Sequence, residues 1–113
     1  MDGWRDRLAA DRTAATERLA GLSREFDDLV DSASLANTDD EHDPEGATVA
    51  FERQHVAALI SQARDRLDEI DAALARLDEG SYGVCERCGQ PIGDERLAAR
   101  PAAMTCVRCA ARR

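Results

Sequence analysis

A chain of 113 residues that is 43% hydrophobic, 34% charged and only 4% aromatic has room for one domain or an elongated body, but too few aromatic anchors for a thick globular core. Its net charge of −8 excludes the basic face a duplex-binding protein needs to neutralise phosphates. No apolar run is long enough to span a bilayer, and a start bearing Asp2, Asp6 and Asp11 lacks a secretory leader's apolar stretch, so a cytoplasmic location without a membrane partner is expected.

In the first ~35 residues Leu8, Arg12, Ala15, Leu19, Leu22, Phe26, Leu29 and Ala33 alternate steps of four and three, the spacing of a coiled-coil seam. Ala, Leu, Arg and Glu fill the other positions and favour helix. From Phe51 onward the pattern returns, entered at Val49 and carried by Arg53, Val56, Ile60, Ala63, Leu67, Ile70, Leu74 and Leu77. If the two seams fold back on each other, facing positions keep a near-constant sum of residue numbers. Leu8 with Leu77, Ala15 with Ile70, Leu22 with Ala63 and Leu29 with Val56 all give 85. That registry favours an intramolecular antiparallel hairpin over pairing with a second chain, so a monomer is expected. Each arm would be roughly 45–50 Å long at 1.5 Å per residue.

Between the arms the helical pattern breaks in a turn at about 37–47, where Asn37, Asp43, Pro44 and Gly46 punctuate the chain and Thr48 or a neighbour is placed to cap the second helix. The segment from Leu35 to Ala50 has five acids, Asp39, Asp40, Glu41, Asp43 and Glu45, and no base. Most charged loops are simply solvated. An acidic point at the end of a rod, without counter-ions nearby, is also suited to a cation, a bound metal or a basic channel.

Gly80 reads as the cap that ends the second helix. Beyond it the ligand pattern is C-x2-C-x17-C-x2-C, formed by Cys85, Cys88, Cys106 and Cys109. Two Cys-x2-Cys knuckles bring four soft thiolates onto one metal, which selects a single structural Zn²⁺ and leaves no open position for water. Disulfides are disfavoured in a cytosolic chain, a thioredoxin-like pair needs a βαβ setting, and an iron–sulfur centre is the weaker competitor. Between the knuckles, residues 93–100 read as a short helix capped by Asp94 and stopped before Pro101. Trp4, beside the first seam turn, is placed to pack on this finger. The fold class is therefore mainly α: an antiparallel two-helix coiled-coil hairpin over residues 1–79, followed by a small C4 zinc-finger module over 80–113.

His42 and His55 stand 13 positions apart with no nucleophile constellation around them, so no enzyme is expected. Arg87, Arg96, Arg100, Arg108, Arg112 and Arg113 read as solvated finger arginines in an acidic chain, against sequence-specific DNA binding.

The finger resembles that of the DksA/TraR family of C4-type zinc finger proteins. The resemblance rests on Tyr82-Gly83-x-Cys85-x-x-Cys88-Gly89-x-x-Ile92, followed by Arg96-Leu97-x-Ala99-x-Pro101 and Cys106-x-x-Cys109. The hairpin before the finger extends it over nearly the whole chain. It implies a transcription regulator that binds RNA polymerase directly, with the coiled coil in the secondary channel and the acidic tip near the active centre. Asp43-Pro44 corresponds to the Asp-Pro that opens the family's tip motif. The second acid and the alanine of that motif fall on Gly46 and Thr48 here, leaving Asp40 and Glu45 as the nearest acids. The alternative is a zinc-stabilised coiled-coil module for another protein partner.

Overall fold

The computed structural model describes residues 2–36 and 44–112; side chains are described from Gly3 to Ser32 and from Ala47 onward. Helix α1 runs Asp2–Ala36, α2 Pro44–Glu79, α3 Asp94–Ala99 and α4 Val107–Ala111. Among the described residues there is no strand, only a two-residue bridge between Val84 and Pro91. The chain divides into two compact units, one of Met1–Ala14 with Arg66–Arg113 and the other of Ala15–Asp65.

The seam is buried where its heptads are most regular. Leu8, Ala15 and Leu22 on α1 and Val56, Ala63 and Ile70 on α2 are each at most 7% exposed, three positions seven apart on either helix. In the unit of residues 15–65, Leu22, Val56 and Ala63 form one cluster with Leu19, Phe26, Leu29, Leu59 and Ile60 packed against it. In the other unit, α1 and α2 are laced by Arg5–Asp78 at 2.8 Å and Arg12–Asp71 at 2.7 Å. Low numbers meet high ones in both units, as an antiparallel hairpin requires. Arg12, a seam position by spacing, is exposed and reaches sideways to Asp71, because a guanidinium cannot be buried between apolar arms without a partner. That hydrogen bond and the carboxylate's charge hold the Arg12 pKa above its ordinary value. Exposed pairs of this kind fix register more than they add stability.

Helix α2 begins at Pro44, so residues 44–47, expected in the turn, are helical, and Thr48 lies a turn inside the helix instead of capping it. Proline suits a first helical position, where its missing N–H would lack a helical partner anyway. The other end follows expectation. Gly80 takes a φ of 82°, its N–H donates to Leu77 O at 3.3 Å and that of Ser81 to Arg76 O at 2.9 Å, which is the Schellman termination and needs a residue without a Cβ. No helix of the described residues is long and apolar enough to cross a membrane.

One glycine inside α1 has no such duty. A Cβ at Gly21 would meet only Arg24 Nη2, at 3.8 Å. Gly21→Ala is therefore expected to stabilise the protein by about 0.5–1 kcal/mol through lower unfolded-chain entropy, read as a higher urea midpoint. A lower midpoint would show that the backbone there needs glycine.

Candidate metal centre

Each knuckle is built by backbone hydrogen bonds that turn two sulfurs to one side. In the first, Gly89 N–H donates to Cys85 O at 2.9 Å and Cys85 N–H to Gln90 O at 2.8 Å. Gly89 has a φ of 75°, which closes the turn after Cys88. In the second, Cys106 precedes α4, whose Ala110 N–H donates to Cys106 O at 2.9 Å. Nothing in the sequence signals α4, because five residues give too little periodicity to register. Arg87, inside the first knuckle, joins the two by donating from Nη1 to Cys109 O at 3.1 Å and Arg112 O at 2.8 Å. The expectation that it is merely solvated therefore fails, since its charge serves one carbonyl of the second knuckle and one at the end of α4.

The segment between the knuckles is equally tied. Ile92 N–H donates to Gly83 O at 2.8 Å and Glu86 N–H to Met104 O at 2.9 Å, while Arg96 Nε donates to Thr105 O at 2.7 Å. Ile92 and Leu97 are buried at 6% and 4% exposure. Helix α3 starts at Asp94 from Gly93, with no side-chain cap. The expected Asp94 cap is thus corrected: Asp94 is the first helical residue, and its carboxylate sits in the first turn where the helix dipole favours an acid.

All four cysteine sulfurs lie within 4.8 Å of one another, and Cys88 Sγ is 3.8 Å from Cys106 Sγ. A tetrahedron with Zn–S bonds of ~2.3 Å has an edge of about 3.8 Å, so the donor set fits Zn²⁺ in both chemistry and spacing. Cys85 and Cys106 are buried, Cys109 is half-buried and Cys88 exposed. Burial alone would raise the Cys85 thiol, but hydrogen bonds from the backbone of Cys106, Cys88 and Arg87 outweigh it and bring the pKa down to about 6. The backbone of Cys109 lowers Cys106 in the same way. Cys106 in turn, with burial, pushes Cys109 up to about 12. Metal binding must then displace a proton from Cys109, so it weakens as pH falls.

Of the acids expected at the turn, Asp39, Asp40, Glu41 and Asp43 lie outside the described residues. Glu45 falls in the first turn of α2, and its side chain is likewise outside that description. His55 is exposed on α2, as expected.

The model of the prokaryotic dksA/traR C4-type zinc finger matches residues 80–113. The solved structure of transcription factor DksA2 from Pseudomonas aeruginosa superposes with a TM-score of 0.82 at 33% identity, covering 98% of this chain and 80% of that one. The chain belongs to the DksA/TraR family. As a family member it carries one structural zinc in a C4 finger behind a two-helix hairpin. Among curated relatives of this DksA/TraR chain, the RNA polymerase-binding transcription factor DksA of Caulobacter vibrioides is 32% identical over 108 residues, 92% of this chain. General stress protein 16O of Bacillus subtilis is 33% identical over 92 residues, 80% of this chain. The chain spans less than two thirds of the length of these two relatives, 63% and 56%.

Proposed function

We propose that this protein is a zinc-binding transcription regulator that binds RNA polymerase directly, placing its hairpin in the secondary channel and its acidic tip near the active centre. The observation that carries the reading is the match of nearly the whole chain, hairpin and finger together, to a DksA-type transcription factor, supported by relatives named for polymerase binding. Residues 1–79 act as the hairpin that reaches the enzyme and residues 80–113 as the finger at its base. Cys85, Cys88, Cys106 and Cys109 are the zinc ligands. Asp43, with Asp39, Asp40, Glu41 and Glu45 around it, supplies the negative charge at the tip. Such a protein modulates a catalytic centre that belongs to its partner, so it is itself no enzyme, works as a cytoplasmic monomer, and needs neither a membrane nor sequence-specific DNA contacts.

The decisive experiment titrates zinc-loaded full-length protein onto core RNA polymerase from the same organism. Saturable binding is expected, with Asp43→Asn retaining affinity but losing the effect on open-complex lifetime. Failure to bind at micromolar protein would sink this reading and point to a different protein partner for the hairpin. Binding with an unchanged effect in Asp43→Asn and Asp40→Asn would remove the tip from the mechanism while leaving the partner in place.

A further inference from the structure

The finger ends in sequence at its boundary with α2, but its contacts do not. Arg76, in the last turn of α2, donates through Nη2 to Ser81 O at 3.0 Å and also to Val84 O, next to the ligand Cys85. Arg76 O accepts from the N–H groups of Ser81 and Tyr82. Tyr82, three residues before Cys85 and 5% exposed, donates its hydroxyl to Pro101 O at 2.7 Å, on the strand of chain leading to the second knuckle. Its ring lies 6.1 Å from that of Trp4 at 49°, and Trp4 belongs to the first turn of α1. Burial raises the Tyr82 pKa, with the charge of Arg7 on α1 opposing it, so the phenol remains a donor at neutral pH.

Tyr82 is thereby held from both sides by chain that the metal organises: its own segment runs into the first knuckle, and its acceptor sits on the path to the second. Trp4 rests on the result. The compact unit that contains the finger also contains residues 2–14 of α1 and 66–79 of α2, whereas residues 15–65 form their own unit with their own buried cluster. Covalent continuity of each helix across residues 14–15 and 65–66 does not make the two stretches equally dependent on the metal. Small modules of this size draw much of their folding free energy from the ion, and local unfolding follows cooperative units more than secondary-structure ends.

We propose that zinc occupancy controls the order of the hairpin's own ends, residues 2–14 and 66–79, through Tyr82 and Trp4, while residues 15–65 fold independently of the metal. The metal site thus reaches α1 about 80 residues before the first ligand, and the zinc-linked segment cuts across both helices instead of stopping at Gly80. Tyr82 is a positioning residue in this scheme, since it acts through its ring and hydroxyl on groups that hold α1. The proposal does not depend on the polymerase reading, because it concerns what the ion does to this chain alone.

The test is amide hydrogen exchange on the full-length protein, zinc-loaded and then stripped with a chelator under reducing conditions. Protection is expected to fall together in residues 2–14, 66–79 and 80–112, and to persist in 15–32 and 47–65. Loss confined to 80–112 overturns the proposal, as does equal loss through 15–65. Emission from Trp4, the sole tryptophan, gives a second readout and should move to the red on stripping. In Tyr82→Leu with zinc content checked as unchanged, the emission should already sit at the stripped position; emission that stays at the loaded position removes Tyr82 from the link.

Discussion

Cys106→Ser is expected to strip the chain of stoichiometric zinc and to unfold residues 80–112 with it. Cys106 is only 8% exposed, its carbonyl anchors α4 through Ala110 N–H, and its sulfur stands at the tetrahedral edge distance from Cys88. Serine keeps the size but offers a hard, protonated oxygen where the metal prefers a thiolate. Changes to residues that merely support metal ligands already cost ~10–100-fold in affinity, so loss of a ligand itself should exceed about 100-fold. The apolar interior of the finger, Ile92 and Leu97 with Tyr82, is too small to replace the ion; structural zinc contributes about 10–16 kcal/mol in isolated finger peptides. The measurement is zinc released to a chromophoric chelator per mole of protein, beside near-ultraviolet circular dichroism of Tyr82 and Trp4. Full zinc content with unchanged aromatic signals would show that three sulfurs suffice and that the site is not closed.

Ile70→Ala should cost the hairpin near the finger about 2–5 kcal/mol. Ile70 and Leu8 are both 0% exposed, and they lie in the same compact unit. Removing three carbons there is expected to leave a void in the seam between two helices that do not readily close it. Against a total stability of about 5–15 kcal/mol for an ordinary domain, that is a large share. Urea unfolding followed by Trp4 emission should show a lower midpoint, while Asp68→Ala, an exposed substitution on the same helix, stays within about 0.5 kcal/mol of the parent. Equal effects of the two substitutions would mean that the seam is not the core of this unit.

These positions were legible in the sequence because their signals are periodic or chemical. Leu8, Ala15 and Leu22 repeat at seven, as do Val56, Ala63 and Ile70, and helical geometry turns that spacing directly into burial. The four cysteines announced their convergence through two short knuckles, since no other donor type makes that pattern. Gly80 announced the end of α2 because only glycine adopts its φ without strain. The features that were not legible depend on where the folded chain puts a carbonyl. Nothing in the composition around Arg76 or Arg87 marks them as donors to Val84 O and Cys109 O, and a guanidinium that crosslinks backbone looks the same in sequence as one that faces water. Thr48 and Asp94 were expected as caps because their types favour that role; Pro44 and Gly93 displaced them by opening the helices earlier or without a side chain.

The seven-residue repeat on both arms sets a rule for how this hairpin can change length. Deleting one residue from one arm turns everything beyond it by about 100° around the helix axis and swings its apolar positions out of the seam. Only matched gains or losses of a whole heptad in both arms keep Leu8, Ala15 and Leu22 opposite their partners. Each such step lengthens or shortens the arms by about 10 Å. Divergence of the hairpin by insertion and deletion is therefore expected to come in discrete, paired increments, with any unpaired residue absorbed in the turn.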